Sequence, residues 1–346
     1  MQVIGGMIPA PDEDTVKQCA KYIHYNSGDP KSYDGLEEAI QRIVQETGRY
    51  TLNTQFPGWI TSGATEGNIL SLYYNREYLG KKRIVAYDTV HYSVLKAAKL
   101  LGMKIELLPT RGGYMADPRL LKDRLDRDTV LVLTYGTTET GFIDPIIEAR
   151  EIAERKNATI HVDAAFAGFV ANGLGHSRML QPDGVIVSVA VDLHKIPEAP
   201  IPLGVILTWS EDMLDKLFFE SPYIPSKRQF GLLGTRPGCT VMAGVTALSI
   251  LEKRYGGPQG LTEKLMQASR SLADNLSGSY RLVHEIMTPI LCLIPEQGLT
   301  RILERAERMR YKLYTCPRHA GIRIAVLPHI AYTINDVARI LNSLTY

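Results

Sequence analysis

The sequence predicts an α/β fold: a mostly parallel central sheet with helices on both faces, followed by a small C-terminal α+β domain. Three observations predict it. Short apolar segments alternate with amphipathic stretches from residue 58 to residue 209. Those segments are apolar at nearly every position, as strands covered on both faces are. After Gly238 the alternation stops, and a long helical stretch leads into the turn residues Gly256-Gly257-Pro258. At 346 residues the chain exceeds one ordinary core. The expected division is an N-terminal helical segment over 1–48, a large domain over 49–255 and a small domain over 256–346.

The elements follow in order. Residues 12–26 and 35–47 carry helical periodicity and are joined by the turn-rich "NSGDPKSYDG". Next, "GWITSGATEGNILSLYYNREYLG" runs from a short strand through Ser62-Gly63-Ala64 into a helix. Strands are expected at "RIVAYD" (83–88), "KIELLP" (104–109), "TVLVLTYG" (129–136), "TIHVD" (159–163), "GVIVSVAVD" (184–192) and "LGVILTW" (203–209). Helices are expected near 91–102, 117–126, 145–156 and 239–254. Residues 259–346 then run helix, strand, strand, helix, strand, helix.

Composition excludes several classes. The net charge is +2, with 39 basic and 37 acidic residues, so no nucleic-acid groove or basic membrane tail is indicated. No apolar run reaches the roughly 18 residues that span a bilayer. The stretch "MQVIGGMIPAPDED" lacks the basic and apolar parts of a signal peptide. The four cysteines are scattered, with no CxxC pair and no histidine at metal spacing. Reduced thiols in a cytoplasmic protein, without a structural metal, are the expectation.

One stretch carries chemistry. "VIVSVAVDLHK" starts as a buried strand and ends in Asp192, His194 and Lys195. Ligands of open α/β sheets bind beyond the carboxyl ends of the strands. Other expected strand ends supply His91, Thr137, Thr138 and Asp163. Singly, each has an ordinary explanation: a cap, a turn residue or a solvated charge. Together they set an acid, hydroxyls, imidazoles and an amine around one crevice, as a catalytic site requires. A lysine in an apolar crevice is a nucleophile toward aldehydes. An acid can hold a cationic ring nitrogen. The turn in "TSGATEGN", at a helix N-terminus, offers N–H groups and a positive dipole end to a phosphate. Aldehyde, ring nitrogen and phosphate together describe pyridoxal 5′-phosphate.

Seven segments in order carry a family resemblance: "TSGATEGN", "HYSVLKAAKLLG", "YGTTETGFIDPI", "IHVDAAFAGFV", "VDLHK" with "PIPLGVIL", "RQFGLLGTRPG" and "IRIAVLPHI". With these the chain resembles the group II pyridoxal-phosphate-dependent amino acid decarboxylases, and among them the archaeal L-tyrosine/L-aspartate decarboxylases. The resemblance implies the fold-type I architecture of pyridoxal-phosphate enzymes and a role for each matching residue. Lys195 would be the Schiff-base lysine, and Asp163 the carboxylate on the pyridine nitrogen. Ala165 and His91 would pack on the two ring faces. Ala64, Thr65 and His194 would meet the phosphate, and Thr138 the ring's phenolic oxygen. Gly234 and Thr235 match a loop that reaches the phosphate from the neighbouring subunit of a homodimer. Arg323 would hold the substrate's α-carboxylate, which suits a guanidinium fork. Tyr223, in "ESPYIPSKRQF", is the candidate proton donor. His161, two residues before Asp163 on its strand, should share a face with that acid and support it.

The implied reaction is decarboxylation of L-aspartate to β-alanine or of L-tyrosine to tyramine. Coenzyme A synthesis, which needs β-alanine broadly, tilts the expectation to aspartate. Asn53, Gln55 and His24 are candidates for reading the substrate side chain. The family's N-terminal segment, which supports the dimer and reaches the substrate pocket, corresponds at most to "VIGGMIPAP". Glu198 lies near Lys195 in sequence, with no direction assigned. Three alternatives stand beside this reading. A carbon–carbon lyase resembling sphingosine-phosphate lyase would need a second phosphate site. A non-catalytic cofactor-binding protein would not need Lys195, Asp163 and His91 together. A dinucleotide oxidoreductase would carry GxGxxG after its first strand, which is missing.

Overall fold

The computed structural model describes residues 2–276 and 278–345. Strands β1 (Gln2–Ile4), β2 (Gly58–Thr61), β3 (Arg83–Tyr87), β4 (Lys104–Leu108), β5 (Thr129–Thr134), β6 (Thr159–Asp163), β7 (Ile186–Asp192) and β8 (Gly204–Thr208) come first in the chain. Seven of them form the main sheet, in the order β2-β8-β7-β6-β5-β3-β4. The pairs from β4 to β7 are parallel, whereas β8 runs antiparallel to both β7 and β2. Every residue of β5, β6, β7 and β8 is buried. Alternate side chains serve opposite faces. Ile84, Ala86, Val130 and Val132 join Ile69 and Val94 of helices Ala64–Glu77 and Tyr92–Leu101. Val85, Tyr87, Leu131 and Leu133 enter the larger core on the other face. This is why the strands read as continuous apolar runs rather than as alternating ones.

A hairpin follows, of β9 (Phe218–Glu220) and β10 (Arg228–Phe230). Helices Gly238–Tyr255 and Pro258–Leu276 lead to β11 (Tyr280–Leu282), β12 (Ile290–Pro295), β13 (Tyr311–Cys316) and β14 (Gly321–Ala325). These make a second sheet, in the order β1-β13-β14-β12-β11.

Three elements differ from expectation. Residues 117–126 form only a short 3₁₀ turn at Pro118–Leu121, because that charged stretch buries just Leu121 and Leu125. Two strands, β13 and β14, stand where one was expected. The N-terminal stretch begins with a strand, not a helix, and β1 pairs in parallel with β13 across the ends of the chain. Beyond β1 the backbone is pinned by the Ala325 N–H, which donates to the Gly5 carbonyl at 2.9 Å. Gly5 and Gly6 allow this close passage. A Cβ on Gly5 would stand 2.6 Å from Ile324, and one on Gly6 would stand 2.6 Å from Tyr314.

Candidate active site

A cavity of about 450 Å³ opens at the carboxyl ends of β5, β6 and β7. Register aligns their tips: Thr134 pairs with Asp163, Asp163 with Ala190, and Asp192 with Gly204. The cavity is lined by Thr134, Asp163 and Asp192 from these tips, and by Thr138, Ala165, His194 and Lys195 from the loops beyond. His91 lines it from the loop after β3, Ala64 and Thr65 from the first turn of helix Ala64–Glu77, and Arg323 from β14.

Asp192 is the hub at one end. Its Oδ1 accepts the Ala64 N–H at 2.6 Å. Its Oδ2 lies 2.9 Å from Lys195 Nζ and 3.6 Å from His194 Nε2. Burial opposes ionisation of Asp192, but Lys195, His194 and the Ala64 N–H hold its carboxyl below the usual range. The charges that end the buried strand thus neutralise one another. At the other end, Asp163 accepts from Asn68 Nδ2 at 2.7 Å and from the Ala165 N–H at 3.1 Å. His91 caps helix Tyr92–Leu101, and burial lowers the pKa of its ring.

His161 is fully buried and shares a face of β6 with Asp163, but its ring nitrogens bond Asn68 and Ser188 rather than that acid. Its Nε2 meets Asn68 Oδ1 at 2.8 Å, so its support passes through the amide. Burial lowers its pKa to about 4, and the ring is neutral. Glu198 turns away from the cavity at φ +57° and pairs with His329 of the small domain.

Several expected residues lie outside the cavity of their own chain. Tyr223 is 84% exposed on the turn between β9 and β10. The Gly234 carbonyl accepts from Gln229 Nε2 at 2.7 Å, and Thr235 follows it on an exposed loop. The same loop is anchored by Arg236, whose buried guanidinium meets Glu66 at 2.5 Å beside the Ser62-Gly63-Ala64 turn. Asn53 ends helix Leu36–Leu52 at φ 55°, and its Oδ1 accepts from Asn172 at 3.3 Å. Gln55 lines a separate surface groove with Trp59, and His24 packs its ring against Tyr25.

Sequence reasoning named neither Tyr92 nor Asn68; it met Met7 only inside the loosely matching "VIGGMIPAP", and it placed Asp192 in the crevice without showing it as the hub. Met7 reaches the cavity only because β1 joins the far sheet, which no local signal announces. Asn68 stands one helical turn after Ala64, so spacing alone places it on the face of that turn.

The donor set fits pyridoxal phosphate. One cavity collects an amine, a carboxylate and a helix N-terminus. Gly63 leaves the turn open at φ +108°, where a Cβ would stand 3.0 Å from the His194 ring. Arg323 Nε and Thr134 Oγ1 are buried without a hydrogen-bond partner, polar atoms left for a ligand. Of the expected phosphate donors, the Ala64 N–H already holds Asp192.

Comparisons with known proteins agree. The pyridoxal-dependent decarboxylase conserved domain matches residues 72–237. The "Probable L-tyrosine/L-aspartate decarboxylase" of Methanopyrus kandleri is 32% identical over 360 residues, covering 98% of this chain and 96% of the relative. The "Probable L-aspartate decarboxylase" of Archaeoglobus fulgidus is 32% identical over 337 residues, covering 95% and 90%. Among solved structures, Lactobacillus brevis glutamate decarboxylase superposes with a TM-score of 0.83 at 18% identity, covering 99% of this chain and 87% of that one. The sphingosine-1-phosphate lyase of Burkholderia pseudomallei also gives 0.83, at 16% identity and covering 99% and 85%. At such identities these two establish the fold-type I architecture alone. The near-full-length relatives and the domain match together place the chain in the pyridoxal-dependent decarboxylase family.

Proposed function

We propose that this chain removes the α-carboxylate of L-tyrosine, with L-aspartate as the alternative that its relatives' names offer. One observation carries the preference. Arg323 is the one guanidinium among the described cavity residues, and the same cavity is lined by the apolar Met7, Tyr92, Ile201 and Pro202. A single guanidinium matches a single carboxylate. The second carboxylate of aspartate would have to meet a cation from elsewhere, whereas a phenol ring suits the apolar lining. The same count weighs against a carbon–carbon lyase whose substrate brings a second phosphate. Purified protein supplied with pyridoxal phosphate should release carbon dioxide and tyramine from L-tyrosine. Release of β-alanine from L-aspartate alone would overturn the substrate, and no amine from either would overturn the reaction.

Pyridoxal phosphate, when bound, supplies an aldehyde for amines and a sink for the electron pair that carbon dioxide leaves behind. Lys195 would hold its aldehyde carbon and Asp163 its ring nitrogen. Thr65 and His194 would face its phosphate, and Thr138 its phenolic oxygen. His91 and Ala165 would bracket the ring. Asp192 keeps Lys195 Nζ at the cavity wall before the cofactor arrives. Arg323 would hold and orient the α-carboxylate that is to be removed. Its guanidinium lies over the Tyr314 ring at 4.8 Å, which limits its orientations. Arg323→Lys keeps charge but loses the planar fork. It is expected to raise KM on the order of tenfold and to lower kcat, measured by steady-state tyramine release. Unchanged kinetics would remove Arg323 from the site.

Tyr223 and the Gly234-Thr235 turn lie outside their own chain's cavity, and we assign them to the cavity of a partner subunit in a homodimer. Leu232 and Leu233 beside that turn are exposed, as are Tyr92 and Ile201 on the cavity wall. These are surfaces for a second copy to cover. Lys195→Ala and Thr235→Arg variants should each be inactive alone. When mixed and allowed to exchange subunits, each mixed dimer should regain one working site of its two. No recovery on mixing, or a fully active monomer by sedimentation, would end the shared-site reading.

A further inference from the structure

Asn68 closes the "TSGATEGN" stretch and is fully buried on helix Ala64–Glu77, where it touches more than Asp163 and His161. Its Nδ2 lies 2.7 Å from Asp163 Oδ2 and 2.8 Å from Ser93 Oγ. Its Oδ1 lies 2.8 Å from His161 Nε2. Ser93 Oγ in turn lies 2.9 Å from His91 Nδ1. On the far side, His161 Nδ1 lies 2.9 Å from Ser188 Oγ, which lies 2.6 Å from Ser71 Oγ.

These contacts have a direction. An ionised carboxylate only accepts hydrogen bonds. Asp163 therefore orients the amide, with its NH₂ group toward the carboxylate and its oxygen toward His161. The opposite rotamer would set oxygen against oxygen. His161 must then carry its proton on Nε2, and its Nδ1 accepts from Ser188. On the other arm, the second amide hydrogen goes to Ser93 Oγ, leaving the Ser93 proton to point at His91 Nδ1. The Ser93 backbone N–H approaches the same nitrogen at 3.4 Å. His91 Nδ1 is thus an acceptor twice over, and the burial that lowers this ring's pKa leaves it a single proton.

We infer that Asn68 is a positioning residue: through Ser93 it fixes His91 as the tautomer protonated on Nε2, so the nitrogen left for the cavity is a donor. One carboxylate thereby dictates the proton positions of two imidazoles, at 91 and at 161. The donor is useful to a reaction that begins with an anionic carboxylate and ends by adding a proton to carbon. An Nε2 lone pair would repel the first and could not supply the second.

The test reads the proton itself. Full-length protein labelled with ¹⁵N at histidine is examined by NMR, with and without pyridoxal phosphate, and His91→Gln identifies the signal. The expected result is a bare Nδ1 and a protonated Nε2 on His91 in the wild type. Ser93→Ala and Asn68→Ala should each give a mixture of tautomers. Ser93→Ala should also lower kcat roughly tenfold or more, with cofactor absorbance and KM held, since its loss spares the Asp163 arm. A wild-type His91 protonated on Nδ1 would overturn the inference. So would a Ser93→Ala protein that keeps Nε2–H alone, since the backbone N–H would then suffice. The wild-type measurement stands even if Asn68→Ala does not fold. The use made of the donor rests on the proposed placement of His91 against the cofactor. If only that placement is wrong, the shifts stay as expected and His91→Gln retains activity.

Discussion

Replacing Lys195 with alanine is expected to lower turnover by on the order of 10³-fold or more. Lys195 carries the one primary amine among the described cavity residues. It is held 2.9 Å from Asp192, at the carboxyl end of a strand whose residues are all buried. No neighbour can take its place at the aldehyde, because the other nitrogen bases of the cavity, His91 and His194, are imidazoles and form no imine. Borohydride reduction of the wild type, followed by peptide mapping, should place the cofactor on Lys195, and the variant should show no such peptide. A cofactor found on another lysine would sink the assignment. The substitution has a second effect. It leaves Asp192 buried with only the Ala64 N–H and His194 as partners, and breaking a buried pair of this kind typically costs about 3–5 kcal/mol. Part of that loss should return in the double variant Lys195→Ala/Asp192→Asn, read by thermal melting, because the charge left unpaired is then gone.

The Asp163→Asn variant is expected to bind the cofactor yet lose on the order of 10²-fold or more in kcat. The carboxylate lies at the tip of β6, where the Asn68 amide and the Ala165 N–H already organise both of its oxygens. An ionised acid in that position would hold a protonated ring nitrogen, and that charge is what would make the cofactor an electron sink. An amide offers no such charge. It would also make Asn68 choose between two amides, loosening the orientation that the carboxylate imposes. Absorbance titration with pyridoxal phosphate should show an affinity within about tenfold of wild type, while turnover collapses. A rate close to wild type would rule out this role.

Much of this was legible in the sequence, for physical reasons. Strands such as "TVLVLT" and "IVSVAVD" are buried along their whole length, so their apolar runs show without any tertiary knowledge. Their polar tips then point to Asp163, Asp192 and Lys195 directly. Contacts that join distant segments left no such trace. Nothing local in "QVI" distinguishes a strand paired to residues 311–313 from a frayed end, so the family match of "VIGGMIPAP" alone, and no pattern in the residues, hinted at Met7. Asn68 was inside a quoted motif, but its partners come from β6 and from one other helix. Tyr223, Gly234 and Thr235 share a different difficulty. If their partners belong to another copy, neither one sequence nor one chain displays them.

The pairing of β1 with β13 orders events during synthesis. The last strand of the main sheet ends at Thr208, so the carboxylates and the lysine can be set in place while the ribosome is still at work. Gln2–Ile4 leave the ribosome before any of these, but their partners Tyr311–Leu313 are made about 300 residues later. At roughly 5–20 residues per second, the first strand waits on the order of 15–60 s for its edge. Met7 therefore reaches its station after the lysine reaches its own. On the proposed assignments, the nascent chain would acquire the means to grip a cofactor well before it closes the cavity wall that Met7 completes.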